Sequence, residues 1–425
     1  MKKTYYPELD ETLYSGVLEN GLHISVVPRK GFNKSLAYFV TNYGSIHTDF
    51  QLDGQEYHVP AGIAHYLEHK MFDLPGDRDV SAEFASYGAM TNAFTSYDMT
   101  AYYFSTTEHF DDCLRLLLEF VSTPYFTEES VEKERGIIDQ GIGMNEDAPD
   151  SVIFENLVQS MYDNHPIRVP ILGTSETIRQ ITPENLHLCH KAFYSPGNML
   201  LCVIGDVDPE QVAAIAGEVL GNQPKSVGQK LRPWQESMTC PKAEITASME
   251  VAMPMFHLAF KAEPLPTGDA SIRMEMIADL AAEALFGESS ELYLRLYEEG
   301  IIDSSFGGGF ETIDGCALLL CSGDSDAPEA VREAILSQAA KIAAEGIPEK
   351  SFLRMKRSAL GRRIRGLDSF DGTCFRICAY HFSDFDYFRF PEIYRSIESA
   401  EICDFLAHVV QPERCSLSVI TPIGD

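Results

Sequence analysis

Pro60-Ala-Gly-Ile-Ala-His65-Tyr-Leu-Glu68-His69-Lys-Met-Phe72 places two histidines four residues apart, with a glutamate just before the second. On a helix, residues three and four apart share a face, so both imidazoles and the Glu68 carboxylate project to one side. Ile63, Leu67 and Met71, spaced by four, give that helix an apolar edge to bury, and Gly62 stands at its start. Two imidazoles one turn apart can reach a single cation. A carboxylate beside a cation-bound water, whose pKa falls toward about 7, can take its proton. Unrelated histidines on a surface helix also produce this five-residue pattern, so the surrounding sequence must choose.

Around the helix, strands and helices alternate. Leu22–Val27 and Leu36–Val40 read as strands, and Ser81–Tyr87 as a helix. Asn92–Thr95 and Thr100–Ser105 read as the two arms of a hairpin. Phe110–Ser122 carries Cys113, Leu114, Leu117, Leu118 and Val121 on one helical face, and Thr127 can cap the next helix. Thr182-Pro183-Glu184 starts another, with proline at its favoured first position. Residues 221–241 are rich in Gly, Asn, Gln, Pro, Lys and Ser without apolar periodicity, the signature of a linker. Met199-Leu-Leu-Cys-Val-Ile-Gly205-Asp206 and Ala317-Leu-Leu-Leu-Cys-Ser-Gly323-Asp324 are similar phrases, each before a helix. Their offset suggests duplicated domains. The expected class is α+β: two homologous domains, each an antiparallel sheet with helices on one side, over 1–222 and 242–425, joined by a linker at 223–241.

Composition narrows the function. Sixty-four acids against 33 bases give a net charge of −31, which argues against a nucleic-acid partner, since phosphate binding needs a basic surface. No apolar run approaches the roughly 18 residues of a membrane span. The opening Met-Lys-Lys-Thr-Tyr-Tyr lacks a signal peptide's apolar core. A cytoplasmic location, with no membrane partner, is the expectation. Ten cysteines without a Cys-x-x-Cys pair fit buried reduced thiols. Gly307-Gly-Gly-Phe lacks the Lys-Ser/Thr of a phosphate loop and fits a bulge or close backbone contact. His187-Leu-Cys-His190 lies among apolar residues and fits packing or surface roles. Arg354, Lys356, Arg357, Arg362, Arg363 and Arg365 form the one basic cluster, a solvated helix face or a contact for a carboxylate or an acidic partner chain.

His-x-x-Glu-His is the inverted zinc-peptidase motif. From Tyr5 to about Asp208 the chain resembles the pitrilysin/insulinase family, specifically its small bacterial cytoplasmic members. The phrases that carry the resemblance are Asn20-Gly-Leu, Pro60 to Phe72, Gly88-Ala-Met-Thr-Asn92-Ala-Phe-Thr95, Val131-Glu-Lys-Glu134-Arg-Gly-Ile-Ile138, Tyr194-Ser-Pro-Gly-Asn-Met199 and Gly205-Asp-Val-Asp-Pro209. The second half resembles it more weakly, through Arg357-Ser-Ala-Leu-Gly361 and Arg365-Gly-Leu-Asp-Ser369. The resemblance implies zinc held by His65 and His69, Glu68 as general base, and a peptide laid along the edge strand Asn92, Ala93, Phe94 and Thr95. It also implies a closed peptide chamber, completed by a second copy or a related chain as homodimer or heterodimer.

Two positions depart from the family. The third zinc ligand there is a glutamate seven residues after another; here Glu134 is the earlier one and Gly141 stands at the ligand's place. Glu134 lies about 10 Å along the helix from that position and fits a role behind the ligands. Asp139 points to the opposite side, Asn145 offers only an amide oxygen, and Glu146 sits far round the helix. Gly136, Gly141 and Gly143 soften the segment, so unwinding would be needed to bring Asp139 or Glu146 to the metal. The family's substrate-holding arginine aligns with Arg365, but its tyrosine partner falls on Gly372. The sequence therefore supports a zinc metalloendopeptidase with a compromised third ligand. The alternative is an inactive member acting as a peptide-binding or half-shell subunit.

Overall fold

The computed structural model describes every residue except Asp77, Ser226, Pro233 and Asp425. Its two principal sheets lie one in each half of the chain. The first has seven strands, ordered Lys2–Tyr6, Glu11–Val17, His23–Pro28, Met199–Gly205, Ser35–Thr41, Thr100–Thr106 and Met90–Thr95. The second has five, ordered Glu244–Met249, Cys415–Pro422, Met255–Ala262, Cys316–Asp324 and Gly307–Ile313. Neighbours are antiparallel except for one parallel pair in each sheet, His23–Pro28 with Met199–Gly205 and Glu244–Met249 with Cys415–Pro422.

These matching ladders establish the duplication, but not through the phrases that suggested it. Met199–Gly205 lies between a parallel and an antiparallel neighbour, as Cys415–Pro422 does. Cys316–Asp324 instead pairs with the edge strand, as Thr100–Thr106 does. The true counterparts are Pro196-Gly-Asn-Met199 and Pro412-Glu-Arg-Cys415, each a short 3-10 turn leading into an interior strand with one parallel and one antiparallel neighbour. Two interior strands in different places carry similar apolar text because both are buried on both faces.

The halves also exchange helices. Pro149–Met161, from the first half, packs on the second sheet, where Leu157, Val158 and Met161 join Ala259, Cys316 and Leu318. Phe370–Phe382, from the second half, packs on strands Met199–Gly205 and Ser35–Thr41 of the first. Val40, Leu200, Cys202 and Ile204 consequently share one core with Phe256, Cys374 and Cys378. Burying each large apolar side chain contributes roughly 1.5–3 kcal/mol, so this shared core ties the halves together.

The expected linker is bonded to both halves rather than loose. Gln229–Lys230 pairs with Phe50–Gln51. Arg232 grips Asp314 with both Nε and Nη2, the latter at 2.6 Å. Glu236 accepts backbone N–H bonds from Asp163, Asn164 and His165 at 3.1, 2.5 and 2.6 Å. At Gly308 a Cβ would lie 2.4 Å from Phe286, so this glycine answers to close helix-on-strand packing, while a Cβ at Gly307 or Gly309 would meet nothing within 4 Å. His190 is buried with Nε2 on the Val121 carbonyl, and exposed His187 lies tilted against the Phe126 ring at 4.7 Å. All ten cysteines are free.

Candidate metal centre

The motif folds as read. Ile63–Lys70 is a helix of eight residues, too short to hold itself together in water. Packing holds it: Ile63, Ala64, Tyr66 and Leu67 are buried, and the Tyr66 hydroxyl donates to the Val131 carbonyl. Gly62 begins the helix at φ 88°, and a Cβ there would stand 2.5 Å from the Leu172 carbonyl oxygen. Only glycine meets both demands.

The His65 and His69 rings lie 4.6 Å apart, centroid to centroid. His69 Nδ1 is 2.8 Å from Glu134 Oε1. With that nitrogen carrying the proton, Nε2 presents its lone pair outward, the arrangement by which a carboxylate orients a metal-binding histidine. His65 makes no hydrogen bond among the described residues, and its Nδ1 is buried without a partner. Burial pushes its pKa down to about 4, so the ring is neutral near pH 7 and free to donate to a cation. Glu68 is buried too, and burial raises its pKa. The Thr95 hydroxyl donates to Glu68 Oε2 at 2.6 Å, favouring the ionised form. The bond to Glu134 raises His69 and lowers Glu134.

Glu134 comes from Glu128–Glu146, which starts at a capping box between Thr127 and Ser130 and runs unbroken through Glu146. The two helices lie side by side in opposite directions. Lys70 reaches the Ser130 carbonyl, His69 reaches Glu134, and Leu172 touches both Gly62 and the side-chain direction of Gly141. Position 141 therefore stands beside the His65 end of the metal helix. A Cβ there would meet only Leu172 Cδ2, at 3.7 Å, so the space for a side chain is open. No carboxylate takes its place. Asp139 is bonded to Ser175, Asn145 to Glu155, and Glu146 is exposed. Among the described residues no group of three or more His, Cys, Asp or Glu side chains could hold a metal. The donor set therefore fits a zinc ion at two positions and leaves the third without a protein donor.

Met90–Thr95 is the edge strand of the first sheet, paired on one side only with Thr100–Thr106. Its last residue, Thr95, touches Glu68, so the free edge passes the base. Asn92 is exposed; Ala93 and Phe94 are half-buried, and Phe94 lies 5.9 Å from the Phe375 ring on the exchanged helix. Arg365 ends the helix Glu349–Arg365 in the second half, exposed and bonded to none of these residues. The Thr95–Glu68 bond was not readable from sequence, because the two residues are 27 apart and meet only once the helix packs on the strand.

The insulinase (peptidase family M16) model matches residues 54–175, and the model of the M16 inactive domain matches residues 180–359. The chain belongs to peptidase family M16. An uncharacterised zinc protease of Bacillus subtilis, YmfH, is 36% identical over 429 residues, covering 99% of both chains. A crystal structure titled as an M16-like peptidase, from Alicyclobacillus acidocaldarius, superposes with a TM-score of 0.93 at 31% identity, covering 97% of this chain and 99% of that one. A Helicobacter pylori protease at 18% identity and TM-score 0.79 shares the fold, covering 96% of this chain and 99% of that one. The inactive-domain match begins at residue 180, after the His-x-x-Glu-His helix, so the histidine motif lies within the insulinase match.

Proposed function

We propose that this M16 chain is a zinc-demanding metalloendopeptidase, acting on extended peptides and holding its metal through His65 and His69 alone. The single observation behind the weak hold is Gly141, with no carboxylate in reach. Zinc bound there would act as a Lewis acid and acidify a water. The chain's own residues supply the rest. Glu134 holds His69 in the tautomer that leaves Nε2 available. Glu68 accepts the water's proton and passes it to the leaving amine, and Thr95 holds the carboxylate toward the strand. The free edge of Met90–Thr95 pairs with a peptide's main chain, which binds extended peptides with little sequence preference.

Hydrolysis of a fluorogenic peptide, followed as zinc is added, tests this reading. Activity that rises only with zinc in large excess over protein, and that Glu68→Gln abolishes, is expected. The missing donor also favours a second reading, a chain that binds peptide along the same edge without cutting it. Peptide binding with no turnover at any zinc concentration would select that alternative.

A further inference from the structure

The exchanged helix Phe370–Phe382 buries Cys374, Ile377 and Cys378 in the shared core. Its open side carries Gly372, Phe375, Arg376 and Ala379, which fall within a sector of about 100°. Phe375, 43% exposed, stands on one flank, its ring 5.9 Å from Phe94 of the edge strand. Arg376 stands on the other flank and is half-buried.

Arg376 differs from the other cations of this chain. Among the described residues it has no ion pair and no listed side-chain partner, whereas each other half-buried arginine or lysine has one or the other. A charge withdrawn from water without a counter-charge is costly. The carboxylates around it are taken: Asp371 is bonded to Lys34 and Asp279 to Arg363. Glycines leave the guanidinium open. A Cβ on Gly366 would stand 3.2 Å from Arg376 Nη1, and one on Gly372 3.5 Å, so a longer side chain at either place would cover it. The same Cβ on Gly372 would touch the helix cap Ser369 at 3.2 Å, so the positive end of this 13-residue helix adjoins the guanidinium. Beside Arg376 the Tyr387 hydroxyl is buried, 3% of the residue being exposed, and it too lacks a hydrogen-bond partner.

We propose that Arg376 seats a carboxylate of the bound peptide. A guanidinium takes a carboxylate through two parallel N–H bonds. Across the helix from Phe375, Arg376 lies about 10 Å from the edge strand. An extended chain covers that span in about three residues, so the carboxylate belongs to a C-terminus or an acidic side chain that far beyond the strand. The intervening residues pass over Gly372 and Ala379, whose small size leaves room. Asp279 and Glu275 nearby disfavour a doubly charged phosphate. The path along Met90–Thr95 rests on the peptide reading proposed above; the carboxylate seat needs neither metal nor turnover.

Fluorescence anisotropy of the full chain without zinc tests it, using one labelled peptide in three forms: free C-terminal acid, amide, and amide with a single glutamate near that end. The acid or the glutamate form is expected to bind about tenfold more tightly than the plain amide, and whichever gains names the source of the carboxylate. Arg376→Gln is expected to remove the difference, leaving affinity for the amide and the melting temperature unchanged; Arg354→Gln is expected to preserve it. Phenylglyoxal labelling of Arg376, read by mass spectrometry, tests the seat apart from the strand: an acetylated tripeptide acid is expected to protect Arg376, and its amide is not. Absence of that protection overturns the proposal, as does an acid preference that survives Arg376→Gln, or equal protection by inorganic phosphate. Protection by the tripeptide acid with no binding of the longer peptide would uphold the seat and overturn the edge-strand reading instead.

Discussion

Gly141→Glu restores a carboxylate where the metal site has none, and the structure sets its cost. A Cβ at 141 meets only Leu172, at an ordinary 3.7 Å, so the first atom of a side chain enters without a clash. Replacing glycine by glutamate inside a helix gains about 0.5 kcal/mol without metal. The outer partner of a metal-binding histidine is typically worth about 10–100-fold in affinity. A direct ligand replacing a water is expected at the upper end, about 100-fold. At a zinc concentration about 100 times the new Kd, linkage then stabilises the fold by about 2.7 kcal/mol. Zinc titration by calorimetry, with thermal unfolding at matched free zinc, measures both quantities. A Kd within threefold of the parent, with no added thermal stability in zinc, would refute the placement of position 141 beside His65.

Thr95→Val removes the hydroxyl that Glu68 accepts at 2.6 Å and leaves a buried carboxylate unpartnered; urea unfolding is expected to show a loss of about 1–3 kcal/mol, and no loss would mean the bond is not made. Glu236→Ala frees three backbone N–H groups at Asp163, Asn164 and His165, so hydrogen exchange there is expected to quicken, and unchanged protection would contradict the bonded linker. Burial lowers the pKa of His47 to about 3 and of His190, His257 and His381 to about 4, so the unfolded chain takes up protons that the folded chain refuses. That stability is complete above about pH 6.5 and is lost as pH falls toward 4, by up to about 1.4 kcal/mol per pH unit for each histidine. Urea midpoints should drop between pH 7 and 5, and drop less in His190→Gln.

Much of this was legible because local rules and global packing agree. The four-residue spacing of Ile63, Leu67 and Met71 gave the metal helix, the cap at Thr127 gave the start of the next, and Glu134 fell behind His69 as helix geometry required. What escaped reading depends on contacts between distant residues. Composition marked 223–241 as a linker, but whether its polar side chains meet water or backbone donors such as those of 163–165 is decided only by folding. The basic cluster looked uniform in sequence; burial separates Arg363, enclosed by two carboxylates, from Arg354 and Arg357, which face solvent. The exchange of Pro149–Met161 and Phe370–Phe382 leaves no local trace, since an apolar helix face fits either sheet.

X-ray absorption at the zinc edge, on the full chain loaded with one equivalent of zinc, tests the central claim most directly. Two imidazole nitrogens with the remaining positions filled by water oxygen, and loss of the bound zinc when His65→Ala and His69→Ala are combined, is the predicted result. A third protein ligand, or zinc bound unchanged after both histidines are removed, would contradict it.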